Sequence, residues 1–423
     1  LAEFHRAVLP SGVVVVAERH PHVRSVCLGL WVRVGSRDER ADEPGVSHFI
    51  EHMTFKGTRT MGPLEIATAL ESGGGDLNAF TDREFTCYHA TFLKEHLGKA
   101  LDVVSELVLE PTFPIDQLER ERNVLLQELA MVEDSPEEWL HDKFFELAFP
   151  QQPFGLPVIG TRQLIKSLSR ERLKRFHRAY YRPDNFVLSV AGNVEFAELV
   201  ALATKAFPPQ PAAKRPTNAG RHRRRARFQS SHRSFLASSE QTHLLVGYEG
   251  VSFADPDRFP ALVLSVFLGG GMSSRLFQEV REKAGLAYGV DCDMITFTDT
   301  GLLTISVSTH PRTLDRCVAI LRRELERLRD EALDATSIEM VKSQLRGTIL
   351  LGSDQMESRQ ESLARNEIVF GRYVPVEAVL DEIDRVTPER VRRLAQRVFQ
   401  RKRETVVALG RRVGPTRLEV MAS

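Results

Sequence analysis

Residues 48 to 52 read HFIEH, two histidines flanking a glutamate inside the run GVSHFIEHMTFKGT. On a helix, His48 and His52 stand at i and i+4, with Cβ atoms about 5–6 Å apart on one face, so both imidazoles can reach a single ion. Glu51, three residues beyond His48, is close enough to touch a water on that ion. Catalytic zinc is typically held by three protein ligands with water in the fourth position, so a third ligand has to come from another element. The competing reading is an ordinary helix with three polar residues on its wet side.

A third ligand is available in DQLERERNVLLQELAMVEDS. Here Glu121 and Glu128 lie seven residues apart, about two helical turns, which puts both carboxylates on one face. Leu118, Val124, Leu125 and Leu129 supply the expected core-facing stripe. Glu119 belongs to a solvated acidic face, and the spacing leaves open which of the other two carboxylates would reach a metal.

HFIEHMTFKGT, followed 76 residues after His52 by Glu128 in the context NVLLQELAMVEDSP, resembles the pitrilysin/insulinase family of inverted-motif zinc peptidases. The branch it is most similar to includes the mitochondrial processing peptidase and small bacterial relatives. The resemblance implies that His48, His52 and Glu128 hold one Zn2+ per chain and that Glu51 is the general base. Glu121 is then a carboxylate that orients a ligand histidine through its second ring nitrogen. In DLNAFTDREFTCYHA the resemblance implies an edge strand beside the metal, with Asn78 and Ala79 presenting backbone groups to an extended peptide. In MSSRLFQEVREKAGLAYGV, Arg281 and Tyr288 are similar to the arginine and tyrosine that hold the substrate carbonyl and support its developing negative charge.

These residues need elements to position them. HRAVLPSGVVVVAERH reads as two strands around Pro10-Ser11-Gly12, and SVCLGLWVRVGS as a long strand with Val26, Leu28, Leu30, Val32 and Val34 on one face. HFIEH falls in the helical stretch that follows. PLEIATALES reads as a second helix, DLNAFTDREFTCYHATF as two strands around Thr81-Asp82, and helices are expected near 94–108, 115–133, 137–148 and twice within 162–180, before the strand NFVLSVAG.

Residues 207–233 are rich in proline and arginine, lack apolar periodicity and read as a linker. Its Arg221, Arg223, Arg224, Arg225 and Arg227 suit either an anionic partner or solvated linker charge, and solvated charge is the reading adopted. Beyond it the order of elements returns, with HLLVGYEG, FPALVLSVFLGGG, TGLLTISVSTHPRTLDRCVAILRREL and ETVVALG in turn. FTCYHATFLKEHLGKALDVV matches GLLTISVSTHPRTLDRCVAI in pattern, and Gly192 is echoed by Gly410. A duplication with a period of roughly 215 residues follows, and with it an α+β fold of two homologous domains, each a mainly antiparallel sheet packed with helices. The expected division is 1–206 for the zinc-binding peptidase domain, 207–233 for the linker, and 234–423 for a second domain without a metal site that carries the arginine–tyrosine motif. The second copy has no counterpart of HFIEH.

Composition narrows the partners. Lys+Arg and Asp+Glu balance at 57 each in 423 residues, so overall charge argues for neither nucleic acid nor a membrane surface. Cys27, Cys87, Cys292 and Cys317 are far apart without a CxxC pair, which suggests neither a thiolate metal site nor a disulfide framework. The run Val13 to Ala17 is far short of a membrane span, and a cytoplasmic location is expected, with an exported or organellar form left open. The expected activity is a zinc metalloendopeptidase acting on unfolded or presequence-like peptides. The alternative is a non-catalytic core subunit of a larger complex. The resemblance also implies a homodimer whose sites are shared between chains, a heterodimer with an inactive paralogue being the other arrangement.

Overall fold

The computed structural model describes residues 3–209 and 223–411. In the first half the order is β1 (Glu3–Val8), β2 (Val14–Arg19), β3 (Ser25–Val32), α1 (Val46–Thr54), α2 (Pro63–Glu71), β4 (Asp76–Thr81), β5 (Thr86–Leu93), α3 (Leu97–Leu109), α4 (Ile115–Asp134), α5 (Pro136–Ala148), α6 (Arg162–Ser167), α7 (Arg170–Tyr180), β6 (Phe186–Gly192) and α8 (Phe196–Ala206). The second half has β7 (Ser231–Phe235), β8 (Thr242–Glu249), α9 (Arg258–Gly269), a π-helical segment (Phe277–Lys283), β9 (Ala287–Thr296), β10 (Gly301–Thr309), α10 (Leu314–Asp330), α11 (Ala335–Ser353), α12 (Met356–Phe370), α13 (Val376–Asp384), α14 (Pro388–Val398) and β11 (Glu404–Leu409).

The fold is α+β with two sheets. The first runs β1-β2-β6-β3-β5-β4 and the second β7-β11-β8-β10-β9. From β2 onward the two match strand for strand. β2 pairs parallel with β6 as β7 does with β11, and the remaining neighbours in both sheets are antiparallel. Only β1, antiparallel to β2, has no equivalent among the described residues.

Two compact units result, and they do not follow chain order throughout. The first comprises Leu1–Ala130, Leu156–Arg224 and Leu351–Val374; the second Met131–Gly155, Arg225–Leu350 and Pro375–Ser423. Thus α12, from the second half of the chain, belongs to the first unit, and α5, from the first half, to the second unit. This is why β3 is not the one-faced strand its alternation suggests. Val26, Leu28, Leu30 and Val32 enter the main core of the first unit, while Cys27 and Trp31 are equally buried on the opposite face, beside residues of α12. There Trp31 Nε1 donates to Gln360 Oε1 at 3.3 Å, and Ser189 Oγ donates to the same oxygen at 2.7 Å. In the second unit Phe144 of α5 lies so close to Gly247 of β8 that a Cβ there would meet its ring at 2.2 Å. A strand buried on both faces reads as a near-continuous apolar run.

Three expectations need correction. Val124 is 43% exposed and lies outside the stripe, because Leu118, Leu125 and Leu129 are joined on the buried face of α4 by Glu121. The end of the 207–233 stretch is ordered as β7, whose backbone pairs with β11. Arg223 is not solvated charge: it donates to both oxygens of Asp38 at 2.8 and 2.6 Å and to the carbonyl of Glu84 at 2.7 Å. Arg221 and the rest of 210–222 lie outside the described residues. Helix α8 was not expected; it is a short apolar stretch squeezed between a strand and the proline-rich segment.

Candidate metal centre

Helix α1 carries the motif because its other face is apolar. Val46, Phe49, Ile50 and Met53 are fully buried, which leaves His48, Glu51 and His52 on the remaining side. Helix α4 follows the same logic, since Leu118, Leu125 and Leu129 anchor it and Glu121 and Glu128 turn toward the histidines.

The donors converge. His48 Nε2 stands 3.6 Å from Glu128 Oε1 and His52 Nε2 3.5 Å from Glu128 Oε2. One ligand atom from each of the three residues lies within 4.8 Å of the others, a grouping unique among the described residues. The two imidazoles are inclined at 75°, with ring centres 4.8 Å apart, and meet edge to face. His52 Nδ1 meets Glu121 Oε2 at 3.2 Å, a contact that leaves Nε2 free for a metal. Glu121 also pairs with Lys56 at 3.0 Å.

The electrostatics suit a cation. Burial, reinforced by His52, drives the His48 pKa down to about 3, so its imidazole is neutral, the form that ligates. Burial raises the pKa of Glu128 and that of Glu51. For Glu121 burial pushes upward, but hydrogen bonds from His52 and Lys56 outweigh it and the net pKa is lowered. Two imidazoles and one carboxylate, whose ligand atoms lie within 4.8 Å of one another, suit a zinc-like centre with an open position.

Glu51 shares this face of α1, and its Oε2 accepts a hydrogen bond from Thr81 Oγ1 at 2.5 Å. The sequence reading gives Thr81 only as part of the turn between two strands, whereas it is the last residue of β4 and its hydroxyl reaches Glu51. Asn78 and Ala79 lie on β4, the edge of the first sheet, opposite His89 and Tyr88 of β5. The Ala79 amide donates to Asn78 Oδ1 at 2.8 Å. Arg281 and Tyr288 form their own constellation in the second unit. The guanidinium lies 4.6 Å from the centres of both the Phe277 and Tyr288 rings, and Nη1 donates to the Tyr288 carbonyl at 2.8 Å. Tyr288 is 80% exposed, with its phenol turned to solvent.

Fold and site together define a peptidase class, and comparison with known proteins agrees. The family described as "Insulinase (Peptidase family M16)" matches residues 14–162, and the "Peptidase M16 inactive domain" matches 167–345. A Mycobacterium leprae protein named an uncharacterized zinc protease is 38% identical, covering 99% of this chain and 95% of its own. The Bacillus subtilis uncharacterized zinc protease YmxG is 34% identical, over 93% of this chain and 95% of its own. The crystal structure of a Helicobacter pylori protease superposes with a TM-score of 0.89 at 22% identity, covering 97% of this chain and all of the other, a likeness of fold. The chain belongs to the insulinase, or M16, peptidase family. No helix among the described residues is long and apolar enough to cross a membrane.

Proposed function

We propose that this protein is a zinc-dependent metalloendopeptidase that hydrolyses unfolded peptides. The observation that carries the reading is the convergence of His48, His52 and Glu128 with Glu51 on the same face of α1. Zinc, when bound, supplies Lewis-acid activation of water at neutral pH. Glu51 takes the proton released by the attacking water and passes it to the leaving amine, and its raised pKa suits both transfers. Thr81 occupies one oxygen of that carboxylate, which presents the other for proton transfer. Glu121 keeps His52 in the tautomer that leaves Nε2 available. The exposed edge of β4 takes an extended peptide by strand addition. The "inactive domain" description falls on residues 167–345 and does not touch the residues at 48–128.

The reading extends to assembly. Arg281 and Tyr288 are donors suited to a developing oxyanion, and a homodimer in which one chain supplies the zinc residues and its partner the arginine–tyrosine pair uses each half-site once. Metal analysis together with a fluorogenic peptide assay on the purified chain tests the core of the proposal. Stoichiometric zinc with chelator-sensitive turnover is expected. A zinc-loaded, folded chain without turnover on any peptide would favour the non-catalytic core-subunit reading.

A further inference from the structure

His52 and His48 are held differently. His52 is oriented by Glu121 through Nδ1, whereas His48 Nδ1 is buried without a hydrogen-bond partner. The aim of the His48 imidazole therefore depends on where the backbone of α1 begins. That start has no side-chain cap of its own, because the capping position is Gly45, in the left-handed region at φ 92°. Its orphan amides are met from outside the helix. Glu39, 3% exposed in the loop after β3, accepts from the Gly45 amide through Oε2 and from the Ser47 amide through Oε1, both at 2.8 Å. Ser47 immediately precedes His48. The two carboxyl oxygens satisfy free N–H groups at this helix end.

The loop that presents Glu39 is itself pinned. Asp38 accepts from the Gly35 amide at 3.0 Å and from Arg223, and Arg37 pairs with Glu84 at 2.5 Å. On the other side a Cβ at Gly45 would meet the Ile159 carbonyl at 2.6 Å, so the turn has no slack in that direction. We propose that Glu39 is a positioning residue for His48, fixing the first turn of α1 so that the imidazole meets Glu128 without a hydrogen bond of its own. The proposal rests on the metal-centre reading above.

The test compares the full-length wild type with Glu39→Gln, which replaces one acceptor by a donor, and Glu39→Asp, which keeps the carboxyl group but withdraws it by a methylene. Zinc affinity is read by competition with a chromophoric chelator, and the cobalt-substituted forms by their visible spectra. Amide hydrogen exchange at residues 45–48 is read in the metal-free proteins. Both variants should exchange faster there, bind zinc about 10–100-fold more weakly, as losses of ligand-orienting partners commonly do, and show displaced cobalt bands. Faster exchange with unchanged affinity and spectrum would reduce Glu39 to a structural cap and overturn the proposal. If Glu39→Gln does not fold, Glu39→Asp decides in the same terms. A wild type that takes up no zinc refutes the metal reading itself, and that outcome is visible before any variant is compared.

Discussion

Glu51 and the three donors divide the work so that single substitutions separate it. Glu51→Gln should retain zinc, because His48, His52 and Glu128 are untouched, and should lose at least about 100-fold in kcat, within the range contributed by a positioned acid–base group. Turnover above a few per cent of wild type at equal zinc content would remove Glu51 from the role of base. His48→Ala or Glu128→Ala should instead lower zinc occupancy, as measured by elemental analysis after dialysis. A further pH effect comes from a histidine outside the site. His177 donates from Nε2 to the Val108 carbonyl at 2.8 Å, and burial lowers its pKa to about 4. The unfolded chain binds that proton near pH 6.5 and the folded chain does not. The contribution to stability is therefore present above about 6.5 and is lost as pH falls toward 4. At pH 5 the loss is about 2 kcal/mol. Denaturant midpoints of metal-free protein should fall between pH 7 and pH 5, and His177→Gln should shrink that difference; an unchanged difference would assign the acid lability to other groups.

Among the elements, the exchanged helices set the sharpest constraint. α5 and α12 each cover one sheet of the unit they join, and each comes against a glycine of a central strand. At Gly29 the conflicting atoms belong to the Gln360 side chain and Trp31 Nε1, whereas at Gly247 they belong to the Phe144 ring, which has little room to turn away. Gly247→Ala should therefore destabilise the protein by about 1–3 kcal/mol, the usual cost of overpacking a filled core. In the double variant with Phe144→Ala the two losses should be less than additive, as read by thermal or denaturant unfolding. Additive losses would mean that Phe144 does not press on that strand.

Taken as a molecule, the chain holds each half-site once, and the shared-site proposal predicts complementation. Glu51→Gln and Arg281→Ala proteins should each be inactive as homodimers. After subunit exchange about half the dimers are mixed, and each has one site with an intact zinc half and an intact arginine half. Activity should then approach about one quarter of wild type under two-fold symmetry. No recovery in spite of demonstrated exchange would place both halves of the site in one chain.

Much of this was legible before any coordinates. HxxEH on a helix, Glu121 and Glu128 two turns apart, and the echo of FTCYHATFLKEHLGKALDVV in the second half are local periodicities, and local periodicity records which face of an element is buried. What could not be read are choices between partners distant along the chain. α12 has no clear apolar stripe because it buries Gln360, Asn366 and Glu367, polar groups that are tolerable only where the first sheet supplies partners such as Ser189, Trp31 and Arg6. Arg223 looked like linker charge until Asp38 and the Glu84 carbonyl met it. Thr81 and Glu39 are ordinary residues in sequence, and they gain roles because folding brings a hydroxyl to the Glu51 carboxylate and a carboxylate to the bare amides at the start of α1. Hydrogen bonds between residues 30 apart in the chain, or across the eight-residue approach to a helix, leave no period to detect, since their geometry exists only once the packing that desolvates them is complete.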